Sequence, residues 1–174
     1  MTDTEEGFLE IDGARLEYCH IGEHESTSPT LVFLHEGLGS VAMWKDFPAQ
    51  LVKASGLNAF IYSRQSYGKS SVLPLAREVN YSHSEAVDVL PKVLAAANIV
   101  NPLFIGHSDG ASIALIYAGA LELPKTLGLI LMAPHVFNED ISTAGIEAAK
   151  LAYEQGNLRA RLSAYHDDVD NAFW

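Results

Sequence analysis

From Leu103 to Ala118 the sequence runs through the apolar Leu103-Phe104-Ile105, then Gly106-His107-Ser108-Asp109-Gly110, then an Ala-rich helical stretch. A short apolar run that stops at glycine is the pattern of a buried strand, and Ala111 to Ala118 is good helix-forming sequence. The chain must therefore turn from strand to helix within five residues, with one serine at the tip. Glycine at 106 and 110 removes the Cβ atoms that would obstruct so tight a turn. A side chain at the tip is lifted out of the sheet, so Ser108 reads as a nucleophile. The same residues as a bare Gly/Ser turn would say little; the strand before and the helix after give the G-x-S-x-G spacing its chemical meaning.

A buried strand needs neighbours, and the rest of the chain supplies them. Phe8 to Ile11 and Ala14 to Ile21 flank Asp12-Gly13, the strongest short-range signal for a hairpin. Cys19 and His20 fall in its second strand as structural residues. Leu31 to Leu34 is continuously apolar, as expected of a strand covered on both faces, and leads into the glycine-rich His35-Glu36-Gly37-Leu38-Gly39-Ser40. Such a turn brings backbone amides close to a ligand. Trp44 to Ser55 reads as a helix ending near Gly56, and Asn58 to Tyr62 as the next strand. A polar loop, Ser63 to Ser71, follows.

Ser82-His83-Ser84-Glu85 has the spacing of a capping box for a helix with Val87, Leu90, Val93 and Leu94 on one face; Pro91 should kink that helix or shift its start. After the serine turn, the helix is expected to run to about Leu121, and Leu127 to Met132 is a further buried strand ending at Ala133-Pro134-His135. Strands and helices alternate, which predicts a mainly parallel sheet with right-handed crossovers. From Asn138 the pattern becomes helical: Asp140 to Gln155 closing at Gly156, then Leu158 to Tyr165, then a run from Asp167 to Trp174.

Composition narrows the function classes. The chain has 174 residues, 48% of them hydrophobic, which suits one domain with a substantial core. Asp and Glu number 22 against 11 Lys and Arg, and a net charge of -11 argues against nucleic acid and acidic membrane surfaces as partners. One cysteine cannot form an internal disulfide, and Met1 to Glu6 lacks the basic and apolar regions of a signal peptide, so a cytoplasmic location is expected. No apolar run approaches the ~20 residues that span a bilayer. No P-loop or flavin motif is present and the histidines lack ligand spacing, so no cofactor and no metal are expected.

In this order the motifs resemble those of the α/β-hydrolase fold family across essentially the whole chain. The hairpin, His35 to Ser40 after the third strand, Tyr62 to Ser70 after the fourth, and Gly106 to Gly110 after the fifth fall in family order. The resemblance implies an α/β-hydrolase core over residues 1–137, with a mainly parallel sheet and an N-terminal antiparallel hairpin, and the start of a helical cap over 138–174. It implies attack on a carbonyl by Ser108, with the oxyanion held by the backbone amides of Gly37 and Asp109. Glu36 stands where glycine is usual and adds a carboxylate beside an anion site. Ser66 likewise replaces a common glycine. His35 and His107 are expected to be scaffold residues of their motifs, and His83 part of a helix start.

In the family, the acid and the histidine of the triad follow the serine on loops after later strands. Downstream of Ser108 the histidines are His135 and His166, and the acids nearest a strand end are Glu139 and Asp140. His135 follows the sixth strand, whose carboxyl end shares the elbow's sheet edge, and so is one candidate base. Family geometry puts the base on the far loop, which favours His135, with Glu36 and Phe137, as a pocket residue and His166 as a surface or pocket-lining residue of the cap. Phe137, Ile141, Tyr153, Tyr165 and Phe173 read either as pocket walls or as packing between cap helices. The missing strands imply an amino-terminal portion of a longer hydrolase.

The implied function is a serine hydrolase acting on a small carbonyl compound: an ester, a thioester, an amide, or a carbon-carbon bond next to a ketone. A ligand-binding protein on the same scaffold and an acyltransferase are the alternatives. The strand Leu127 to Met132 would be an apolar sheet edge, through which the chain is expected to self-associate.

Overall fold

A computed structural model of the protein describes residues 3–23, 28–74, 77–120, 126–137 and 139–173. The chain opens with β1 (Thr4–Ile11) and β2 (Ala14–Ile21), paired antiparallel. Asp12 and Gly13 have φ of 50° and 80° between them, the left-handed pair whose twist suits a two-residue hairpin. Next come β3 (Thr30–Leu34), α1 (Phe47–Ser55) and β4 (Asn58–Tyr62). A short α2 (Tyr81–Ser84), a π-helical turn (Glu85–Val89) and α3 (Leu90–Ala96) form one continuous helical run. β5 (Pro102–His107) and α4 (Asp109–Ala120) carry the serine turn, and β6 (Gly128–Met132) follows. Three helices close the described chain: α5 (Asp140–Gln155), α6 (Leu158–Leu162) and α7 (Val169–Phe173).

The six strands form one sheet in the order β1-β2-β4-β3-β5-β6. β4, β3, β5 and β6 are parallel, and β1-β2 joins antiparallel through β4. This is a partial α/β-hydrolase arrangement with the expected N-terminal antiparallel hairpin and with β6 at one edge; that edge position leaves β6 part-exposed, where Leu127 to Met132 was expected to be buried. Because the parallel strands share one carboxyl edge, the loops after β3, β4, β5 and β6 gather there.

Strand alternation sorts the core onto two faces. Val32, Leu34, Phe60, Tyr62 and Phe104 pack under the helical run and α4, against Leu90, Val93, Ile113 and Tyr117. Leu31, Phe33, Ala59, Ile61 and Ile105 pack on the other face with Val52 of α1 and Trp44. Each fully buried side chain of this size contributes about 1.5–3 kcal/mol, so these layers hold the edge loops on a stable base. No helix among the described residues is long and apolar enough to cross a membrane.

Two local expectations are corrected. The single helix from Trp44 to Ser55 is split into a 3-10 turn (Val41–Trp44) and α1, with Lys45 at φ 53° between them. Pro48 explains the break: inside a continuous helix its ring would clash with the carbonyl of Trp44, whereas in the first turn it costs no donor. The capping box at Ser82 does not form. The helix starts one residue earlier, with no side-chain cap at Asn80, because Glu85 is buried elsewhere and accepts the Tyr62 hydroxyl at 2.8 Å. Pro91 does shift the helix, and the turn before it widens to π. Asn138, Leu121 and Trp174, named in the sequence reading as boundaries, lie outside the described residues.

Candidate active site

Ser108 sits between β5 and α4 with φ of 51°, a left-handed backbone that costs a non-glycine residue about 1–2 kcal/mol. The surroundings enforce it. A Cβ at Gly106 would lie 2.5 Å from Ala111 Cα, and one at Gly110 would lie 1.9 Å from the Leu34 carbonyl oxygen. The turn is thus packed too closely against α4 and β3 to admit any other residue at either position. The Ser108 N–H donates to the Met132 carbonyl at 2.8 Å, tying the turn to β6.

β6 then delivers His135. Its Nε2 lies 3.0 Å from Ser108 Oγ. Ser112, one helical turn beyond Ser108, holds the His135 backbone twice: it accepts from the N–H at 2.9 Å and donates to the carbonyl at 3.0 Å. Sequence reasoning set His135 aside as the base, yet the fold brings it to the serine. Ser112 was missed; a hydroxyl four residues after Ser108 on an apolar helix was the available signal. Phe137, by contrast, is 69% exposed.

The loop after β3 is organised by two buried side chains. His35 donates through Nδ1 to the Glu36 carbonyl at 2.7 Å and accepts the Arg64 N–H at Nε2, 3.1 Å away. Burial, then the nearby Arg64 charge, holds this imidazole well below its ordinary pKa of 6.5, so it stays neutral. Arg64 reaches back with Nη1 to the His35 carbonyl (2.8 Å) and Nη2 to the Glu36 carbonyl (3.1 Å). Its Nη2 also lies 3.8 Å from Asp109 Oδ2. That carboxylate accepts the Tyr81 hydroxyl at 2.5 Å, and burial together with this bond pushes the Tyr81 phenol up to about 12. Asp109 is the first residue of α4, so its N–H is one of the donors without an intrahelical carbonyl. Glu36 leaves its carboxylate 3.2 Å from His107 Nδ1, beside the serine turn.

His166 is not a surface residue. It is 5% exposed and joins two of the edge loops. The Gly68 N–H donates to its Nδ1 at 3.0 Å, and its Nε2 donates to the Leu38 carbonyl at 3.0 Å. Asp167 N–H adds a bond to the Gly68 carbonyl at 2.9 Å. Ser66 holds φ of 71° where glycine would be unstrained; its hydroxyl accepts the Leu73 N–H at 2.8 Å and donates to Asn171 at 3.2 Å. The C-terminal segment 166–171 is thus bonded to the loops after β3 and β4. Tyr153 and Phe173 stack on each other with ring centroids 3.9 Å apart, so they pack between α5 and α7. A cavity of about 310 Å³ lies behind Arg64 and Tyr81, lined also by Leu73, Arg77, Glu85 and Val89.

The sequence profile of the Alpha/beta hydrolase family matches residues 31–173. The chain belongs to the alpha/beta hydrolase family. Solved structures with the same fold include one from work on carboxylesterases of the thaumarchaeon Nitrososphaera gargenis (23% identity, TM-score 0.69, 89% of this chain and 57% of that one). Another is MGS-M2, an alpha/beta hydrolase from a Medee basin deep-sea metagenome (20%, 0.67, covering 84% and 52%). A third is Est816, described as an N-acyl homoserine lactone degrading enzyme (18%, 0.66, 95% and 67%). The chain spans 57% and 52% of the length of the first two. No curated protein matched the sequence. Within this alpha/beta hydrolase, the four loops at the carboxyl edge are the place where the family's chemistry would be assembled.

Proposed function

We propose that this alpha/beta hydrolase is the serine-dependent kind, acting on a small carbonyl compound of the ester class through an acyl-enzyme on Ser108. The observation that carries the reading is the enforced turn at 106–110, which presents one half-exposed hydroxyl beside an imidazole 3.0 Å away. In this reading Ser108 Oγ attacks the carbonyl carbon and its proton passes to an imidazole. The N–H groups of Gly37 and Asp109 hold the oxyanion, the alcohol leaves with the proton, and water repeats the sequence to release the acid. The carboxylesterase and lactone-degrading descriptions of two structural neighbours agree with the ester class.

His135 is the imidazole within reach of Ser108 among the described residues, and no carboxylate there orients its Nδ1. A triad lacking its acid loses on the order of 10⁴ in rate. We therefore assign His135 to the serine's hydrogen-bond partner and pocket wall, and the efficient base to a histidine on a later loop. Residues 1–137 form the core in this account, 138–174 begin the cap, the protein works in the cytoplasm, and the β6 edge is a surface for self-association.

A fluorophosphonate probe tests the nucleophile. Labelling at Ser108 that disappears in Ser108→Ala supports the reading; labelling retained by the alanine variant removes Ser108 from the mechanism.

A further inference from the structure

The two backbone donors assigned to the oxyanion lie on different segments, the loop after β3 and the first turn of α4. One side chain touches both segments. The Arg64 guanidinium is 4% exposed, donates to the carbonyls of His35 and Glu36 at 2.8 and 3.1 Å, and faces the Asp109 carboxylate at 3.8 Å. We propose that Arg64 is the positioning residue of the oxyanion hole: its fork sets the Glu36–Gly37 peptide plane and, through Asp109, the first turn of α4. The proposal rests on the serine-hydrolase reading above.

The orientation follows from peptide geometry. In a trans peptide the carbonyl and the next N–H point in opposite directions, and the described backbone contains no cis bond. The Glu36 carbonyl is held by three donors: Arg64 Nη2 at 3.1 Å, His35 Nδ1 at 2.7 Å and Gly39 N–H at 3.0 Å. The Gly37 N–H must therefore point away from the guanidinium. At the other arm, Asp109 is fixed by Arg64 and by the Tyr81 hydroxyl. A Cβ at Gly37 would lie 3.2 Å from Asp109 Oδ2, so glycine lets the two segments approach at this point.

Charge supports the same role. Asp109 and Glu36 put two carboxylates beside a site where negative charge develops, and a permanently charged guanidinium offsets them. Lysine keeps that charge but has no planar fork, and its single ammonium does not reproduce the paired hold on two carbonyls. Arg64 itself does not meet the substrate in this proposal; it acts through two peptides.

The test is Arg64→Lys in the protein, read by steady-state kinetics on an activated ester and by affinity for a trifluoromethyl ketone, which forms an oxyanion on the serine. Loss of one oxyanion donor costs on the order of 10² to 10³ in kcat, so misaiming should cost on the order of tenfold or more. The expected result is that kcat and ketone affinity fall together while KM stays within about twofold. Arg64→Ala should regain part of the loss with added ethylguanidinium. If Arg64→Lys does not fold, Asp109→Asn serves instead: it removes the carboxylate that Arg64 faces but keeps the amide, and a several-fold loss of ketone affinity is expected. Unchanged kcat and ketone affinity in a folded Arg64→Lys protein, or unchanged ketone affinity in Asp109→Asn, overturns the proposal. Failure of the reading beneath it looks different, because then Ser108 is not labelled by fluorophosphonate in the unaltered protein.

Discussion

The serine turn and the C-terminal helices α5–α7 meet at the same edge of the sheet and are built on opposite principles. Around Ser108 every neighbour is close: Gly110 sits against the Leu34 carbonyl, Gly106 against α4, and β5 and β3 are almost wholly buried. In α5 the one buried residue is Tyr153, while Ile141, Ile146 and Leu151 are 78%, 67% and 54% exposed. The segment 139–173 is held by a small apolar cluster, Tyr153, Leu162 and Val169 with Leu38, and by polar ties of His166 and Asn171 to the loops after β3 and β4. Sterics therefore fix the Ser108 turn, whereas a small apolar cluster and a few hydrogen bonds seat the C-terminal helices.

The largest effect should come from Gly110→Ala. Its methyl would meet backbone at 1.9 Å, which no side-chain adjustment relieves. The expected loss is at least about 3 kcal/mol by chemical denaturation, with activity lost as well. A variant of unchanged stability would show that the turn is not sterically enforced.

His166 sharpens the other half. Burial lowers its pKa from the ordinary 6.5, so the unfolded or undocked state binds a proton more readily than the docked one. Docking stability is then fully present above about pH 6.5 and declines as pH falls toward the lowered value. Protection factors at Gly68 and Asp167, corrected for the intrinsic pH dependence of amide exchange, should fall on acidification from pH 7 to 5, ahead of those of the β5 amides. His166→Ala should expose the same amides at pH 7, at a cost of about 1–3 kcal/mol for the unpaired backbone groups. Protection that ignores both pH and this substitution would mean that the C-terminal helices are seated by something else.

Gly145→Ala in α5 is the counterpart of the first substitution. Nothing lies within 4 Å of the added methyl, so the change should stabilise by about 0.4–1 kcal/mol. Destabilisation would reveal a partner surface on that helix. Smallest in stability is Ile130→Lys on the edge strand β6, where Ile130 is 49% exposed. It should shift stability by no more than about 0.5 kcal/mol while reducing self-association measured by light scattering at micromolar concentration. A monomer before and after the change would remove the edge as an association surface.

The same contrast explains what the sequence made legible. The hairpin at Asp12-Gly13, the parallel strands and the 106–110 turn rest on local rules of φ, apolar runs and Cβ clashes, and all are readable in one dimension. His166, Arg64 and Tyr81 take their roles from partners far along the chain, such as Leu38, Glu36 and Asp109. No spacing announces such pairs. Glu85 shows the conflict directly: its local pattern promised a cap, but burial against Tyr62 and Arg64 claimed the carboxylate. His135 lay between these cases, because the end of β6 placed it at the right edge while only the Ser112 clamp brings its ring to the serine.

The central claim, covalent chemistry at Ser108, is tested most directly by rapid-quench kinetics with an activated ester followed by peptide mass spectrometry. The account predicts a burst of leaving group that saturates near one equivalent per chain, with the acyl mass on the peptide containing Ser108 and no burst in Ser108→Ala. Turnover with no acylated peptide, or with the acyl group on another residue, would contradict it.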